Sequence, residues 1–310
     1  MPLFFEGSSS ISHQSPSANK KLSLLKLSNE LNPLIEPQYS QKLKPASLRR
    51  MNKPVKMGSY CAASLTEENE QTQGIIVGTG LGCINDTERF LSDTIEQKEG
   101  TLSPTAFMQS THNSLAGQIA LQQKNKAYNM TFVQGAISFE KALEDAQMQC
   151  ELQPPSSLLV GAVDENTMQL EVLLDHLSSK LSVNKPFIGE GANFFKVGSK
   201  HQPSTIAELT YLDTSSKNES ESVFLDRNQI NTESFDWILN GGFDLNSNSN
   251  VLNFKEYCGE YYTATAFACH LALLAFQNLL ANAPAAVGSV LILNKFGFYK
   301  SVITLENVKI

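Results

Sequence analysis

The chain has 310 residues, 41% of them hydrophobic, and 24 Lys and Arg against 31 Asp and Glu, for a net charge of −7 at pH 7. That is enough for one large domain or two fused halves, each with its own core, and the acidic balance, with no long basic run, excludes nucleic acid and anionic membranes as expected partners. Five scattered cysteines without a C-x-x-C pair exclude a disulfide framework and a structural metal site, and no stretch approaches the roughly 20 apolar residues of a membrane span.

The segment Met1 to Gly7 has no basic start and no long apolar run, so no secretory signal is expected and the chain reads as cytoplasmic. Gly7 to Leu24 is serine-rich and reads as polar loop. Lys42 to Lys56 is the one basic patch, either a solvated surface or a face for an acidic carrier protein. Pro54 suits the first turn of a helix running to Leu65, with Asn52 as its cap and Cys61, Ala62 and Leu65 on its buried side. Gly74 to Val77 is a short apolar strand that enters the glycine-rich turn Gly78-Thr79-Gly80-Leu81-Gly82, and Asn85-Asp86-Thr87-Glu88 opens a helix. The turn lacks both the Gly-Lys-Ser/Thr of a phosphate loop and the G-x-G-x-x-G spacing of a dinucleotide site, so no cofactor is implied.

Further helices are expected at Thr111 to Gln122 and Ser138 to Cys150, the second with Ser138 as its N-cap and Phe139, Ala142, Leu143 and Ala146 on one stripe. Strands are expected at Tyr128 to Val133 and, after a break at Pro154-Pro155, at Leu158 to Val163. The second half continues with strands at Phe187 to Val197 and Ile206 to Leu212, and Trp237 to Asp244 reads as a strand ending in a glycine turn. A polar loop spans Ser215 to Glu221 and an apolar helix Ala264 to Ala281. Two final strands cover Ser289 to Leu293 and Ser301 to Leu305. Strands and helices alternating in two successive blocks suggest a duplicated α/β unit.

Several pieces in order resemble β-ketoacyl synthases. Leu48-Arg49-Arg50-Met51 is similar to their Arg-Arg-Met segment, Gly78 to Gly82 to their Gly-Thr-Gly-x-Gly turn, and Gly189-Glu190-Gly191-Ala192 to their Gly-Glu-Gly-Ala strand. Lys255 to Glu260 stands where Lys-x-x-x-Gly-His is found, and Asn294-x-Phe296-Gly297-Phe298 resembles their C-terminal Asn-Ser-Phe-Gly-Phe loop. The stretch from Pro104 to Asn113, with Ser138-Phe139-Glu140 and Leu158 to Glu165, resembles the first half of a ketosynthase. The likeness spans about residues 44 to 310 and is nearest to the chain-length-factor-like subunits of pigment and aryl-polyene polyketide systems. It implies an α/β thiolase-like five-layer αβαβα fold in two pseudo-twofold halves. On that reading residues 1–43 are an N-terminal strand and linker, 44–186 the first half, and 187–310 a shortened second half.

Decarboxylative condensation needs a thiolate to take the acyl chain, and His or Asn side chains to stabilise the enolate. The resemblance places the nucleophile at the mouth of the helix that begins near Ser138, where this chain has Gln134, Gly135 and Ala136. A second catalytic position falls on Glu260, where a carboxylate repels a developing enolate. A third falls near Asn240 to Asp244, where no histidine stands. The resemblance thus implies a degenerate ketosynthase homologue that partners an active ketosynthase, or itself, and meets acyl carrier protein only indirectly. Phe107, Met108, Gln109, His112 and Asn113 are the pocket or interface candidates. The alternative is a stand-alone acyltransferase or hydrolase using Ser138 with His112 and a carboxylate such as Glu140 or Asp164, or using Cys83. No G-x-S-x-G elbow supports a serine nucleophile, and a small buried filler accounts for Cys83. His270 lies within an apolar helix and reads as a satisfied core residue.

Overall fold

A computed structural model describes residues 2–14, 21–27, 33–67, 70, 72–97, 100, 103–152, 157–181, 187–245 and 250–309. The proline break at 154–155 lies outside them. The first half comprises β1 (Leu3–Ile11), α1 (Pro45–Leu48), α2 (Lys53–Ser64), β2 (Gly74–Gly78), α3 (Ile84–Glu96), α4 (Pro104–Ser110), α5 (Ser114–Gln123), β3 (Tyr128–Phe132), α6 (Ser138–Leu152), β4 (Leu158–Asp164), α7 (Met168–Leu181) and β5 (Gly191–Gly198). The second comprises β6 (Ala207–Ser215), α8 (Glu221–Arg227), β7 (Trp237–Gly241), β8 (Val251–Asn253), α9 (Lys255–Cys258), α10 (Ala264–Phe276), β9 (Ser289–Phe296) and β10 (Tyr299–Asn307).

The ten strands join in the order β3-β2-β4-β5-β1-β6-β10-β9-β7-β8. Counted from either end, each block of five has the same arrangement. The third strand lies at the edge, parallel pairs follow, and an antiparallel fifth strand and the block's first strand complete it. The blocks meet where Leu3–Phe5 of β1 run antiparallel to Ala207–Leu209 of β6. This duplication groups β5 with the first block.

Alternation along the strands assigns the layers, because successive side chains point to opposite faces. Ile76, Val160 and Phe195 face inward with Leu239, Ile292 and Ile303, and between them lie the apolar stripes of α6 and α10. Ile75, Val77, Leu159 and Phe194 face the other way, against α2 and α5. Ile238, Leu291, Leu293 and Val302 pack outward against Phe224 of α8. The sequence of layers is therefore αβαβα.

Local signals explain most boundaries. Asn52 caps α2, its Oδ1 accepting the Val55 N–H at 3.1 Å, with Pro54 in the first turn. Some expectations fail for identifiable reasons. Gly7 to Ile11 is strand, because β5 and the paired start of β1 hold a serine-rich segment extended. The helix expected from Thr111 starts at Ser114, and Pro104–Ser110 is a separate helix capped by Ser103. The strand expected from Phe187 begins at Gly191. The helix expected to reach Ala281 stops at Phe276, and Leu280 pairs instead with Leu22. Ser138 is no N-cap: it is already helical, and its hydroxyl turns back onto the preceding loop.

Candidate functional site

The two central helices begin at equivalent places in the duplication, and each is entered through a glycine with positive φ: Gly135 (φ 59°) before α6 and Gly259 (φ 79°) before α10. A helix N-terminus presents free N–H groups and a partial positive charge, which makes it the natural seat for a developing anion. At the α6 entrance the Ser138 side chain folds back onto the preceding turn. The Gln134 N–H donates to Ser138 Oγ at 2.8 Å, and the Ser138 hydroxyl donates to the Gly135 carbonyl at 2.7 Å. A Cβ on Gly135 would stand 3.2 Å from the Tyr299 ring, so the start of β10 closes over the turn. The helix's own thiol, Cys150, lies near its opposite end.

One turn into α6, Glu140 is fully buried and accepts from the Ser301 hydroxyl at 2.6 Å. Burial pushes its carboxyl above the ordinary range, opposed by the Ser301 bond. At the α10 entrance Lys255 Nζ lies 2.7 Å from Glu260 Oε1 and also donates to the Lys295 carbonyl at 2.8 Å. Burial raises the Glu260 carboxyl, and the Lys255 charge pulls it back down. The ammonium sits 5.8 Å from the Phe296 ring centre, and Phe296 stacks on Tyr262 at 4.7 Å.

Asp164, at the end of β4, ties these parts together. Its Oδ1 accepts from the Thr79 hydroxyl (3.0 Å) and the Gly80 N–H (2.8 Å). Its Oδ2 accepts from the Thr263 N–H (3.0 Å) and hydroxyl (2.7 Å) at the head of α10. The glycine-rich turn is thus pinned to the second central helix by one buried carboxylate. Gly80 must be glycine because a Cβ there would fall 2.2 Å from Tyr262. Asp164 also lines a small cavity of about 120 Å³, with Leu81, Leu170, Leu174, Ile188, Tyr262 and Phe296 as its apolar wall and Glu165 and Glu260 as its other acids. Burial raises the Glu165 carboxyl to about 7, against the Asn85 N–H that it accepts at 3.1 Å.

The third expected position is structural. Asn240 Oδ1 accepts the Gly242 and Phe243 N–H groups, and its Nδ2 donates to the Phe243 carbonyl and Asn253 Oδ1. Asp244 is exposed, and its N–H donates to Glu221. Both border an open cleft of about 590 Å³ that also receives Lys255 and Lys295. The Lys255–Glu260 pair therefore stands between that cleft and the small closed cavity.

The other candidates lie on another surface. Phe107 and Met108 are 57% and 60% exposed on α4. Gln109 donates to the Arg50 carbonyl, His112 packs beside Gly82, and Asn113 is exposed ahead of α5. The serine alternative finds no assembled triad, because the Ser138 hydroxyl is committed to its own turn and both Asp164 oxygens to other donors. Cys83 is buried against the Ser114 hydroxyl at 3.6 Å, and burial pushes its thiol up to about 11, the reverse of an activated nucleophile. Sequence reasoning missed Tyr262, Tyr299 and the role of Glu165. Only contacts distant along the chain reveal them.

Residues 27–170 match the family model described as the N-terminal domain of beta-ketoacyl synthase. No curated protein matches the sequence. Among solved structures, the chain is similar to the ishigamide ketosynthase/chain length factor, at 15% identity and a TM-score of 0.72 over 99% of both chains. It is also similar to a beta-ketoacyl synthase from Burkholderia phymatum STM815 (12% identity, TM-score 0.72, 99% of both chains). A third is a ketosynthase in complex with its chain length factor from Xenorhabdus doucetiae (12%, TM-score 0.60, 99% of both chains). Duplicated sheet, paired central helices and these likenesses lead to one conclusion: the chain has the thiolase-like fold of the ketosynthases, and its residues 27–170 match their N-terminal domain.

Proposed function

We propose that this protein is a non-condensing, chain-length-factor-like partner of an active ketosynthase in fatty-acid or polyketide-type biosynthesis. The observation that carries this reading is the occupancy of the two helix entrances. Gln134-Gly135-Ala136 supplies no thiol, and its turn is closed by Ser138 and Tyr299. The α10 entrance holds a carboxylate neutralised by Lys255. Neither can accept an acyl group as a thioester or donate a proton to an enolate as an imidazolium does.

What remains is a scaffold and a wall. β3 ends the sheet, and among the described residues its outer edge carries no strand. Met130 on β3, Val133 just beyond it, Leu121 on α5, and Met148 and Leu152 on α6 are exposed around that edge. An open strand bordered by apolar side chains is suited to strand addition across a dimer interface. On this reading the exposed Phe107 and Met108 reach a partner and limit the depth of its acyl tunnel; their exposure supports it. The reading is tested by co-expression with a ketosynthase that retains its cysteine. A stable heterodimer is expected, with condensation requiring both chains and product length shifting when Phe107 or Met108 changes size. Condensation by the ketosynthase alone at the same rate and length contradicts it.

A further inference from the structure

Two features of the sequence run against their surroundings, and the fold brings them together. β1 is the fifth strand of ten, with α2 against one face and α10 against the other. A strand covered on both faces is ordinarily an apolar run, yet here it reads Gly7-Ser8-Ser9-Ser10 and is only half-buried. α10 is built from Ala, Leu, Phe, Thr and Cys except for His270. His270 Nδ1 lies 2.8 Å from Ser8 Oγ.

Past Phe5, β1 keeps β5 on one side but has parted from β6 on the other. Where the two sheets diverge, a cavity of about 330 Å³ opens along Ser8 to Ser12. Its polar side adds Gln14 and His270, and its apolar side includes Ile35, Leu274 and Leu279. The volume falls at the lower end of the range for small-molecule sites. Among the described residues no Asp, Glu, Lys or Arg lines it. Burial lowers the His270 pKa to about 4, so the ring is neutral near pH 7 and offers one donor and one acceptor nitrogen. A serine hydroxyl has the same double character.

We propose that this cavity binds an uncharged, medium-chain molecule with a hydrogen-bonding head, of which a primary aliphatic amide is the simplest form. The amide head, which both donates and accepts, meets Ser8 and His270, and the chain lies on Leu274 and Leu279. A carboxylate or ammonium head would lose its hydration with no counter-ion among the described lining residues, which selects against charged analogues. The site is separate from the small cavity beside Glu260 and does not depend on the partner role proposed above.

Calorimetric titration of the full chain at neutral pH with octanamide and, separately, octanoate tests it. Octanamide should saturate a single site, with octanoate at least about tenfold weaker. Ser8→Ala should weaken octanamide by about three- to tenfold through loss of one hydrogen bond. Leu274→Trp should fill the cavity and abolish binding while thermal unfolding stays cooperative, and Leu279→Trp fills it from the neighbouring position if the first variant fails to fold. Absence of octanamide binding, equal binding of octanoate, or binding that survives a folded tryptophan variant overturns the proposal.

Discussion

Asp164 accepts hydrogen bonds from the glycine-rich turn on one oxygen and from the head of α10 on the other. Asp164→Asn replaces one acceptor with a donor that faces donors, and is expected to cost about 2–4 kcal/mol, read as a lower urea midpoint. Lys255→Met strands Glu260 beside an apolar cavity. A loss of about 1–3 kcal/mol is expected, less than for a fully buried pair because Glu260 can take up a proton, and Lys255→Met with Glu260→Leu should recover part of it. Glu165 gives a pH signature. Its folded pKa, about 7, lies above the ordinary value of 4.5, so the folded state binds the extra proton between those values. Stability is then fully present below pH 4.5 and falls as pH rises to 7. Glu165→Gln should flatten that slope and raise stability at neutral pH by up to about 3 kcal/mol, measured as chemical unfolding against pH. At this scale the sequence shows no thiol from Gln134 to Ala136 and a glutamate at position 260. It did not reveal what fills the gaps, because Tyr299, Phe296 and Tyr262 reach those places only through long-range packing.

Elements with local signals were legible. Asn52 with Pro54 marked α2, and the apolar stripe marked α6. Asn52→Ala should cost about 1 kcal/mol by removing the cap, seen as a lower Tm. β1 was misread because serines favour loops, and only pairing with β5 and β6 makes that segment a strand. α4 was missed because seven residues between a serine cap and a loop carry too little periodicity. β3 was legible as a strand but not as an edge, since strand order is a property of the assembled sheet. Its edge yields an element-level test: Met130→Lys with Val133→Lys should dissociate the proposed complex, followed by light scattering, while each subunit stays folded. An intact complex would remove the β3 edge from the interface.

The whole molecule is a duplication in which two five-strand blocks share one strand order and enclose α6 and α10. Alternating strands and helices in two blocks pointed to this, whereas the crossing of β1 and β6 over only three residues was visible in the structure alone. The duplication gives two equivalent helix entrances, and the account assigns chemistry to neither. Among the described residues no helix is long and apolar enough to cross a membrane. The most direct measurement is intact-protein mass spectrometry of the purified solitary chain after incubation with an acyl thioester and malonyl-loaded carrier protein. The account predicts an unchanged mass and no elongated product until a cysteine-bearing ketosynthase is added. A covalently acylated chain that then elongates its acyl group unaided would contradict it.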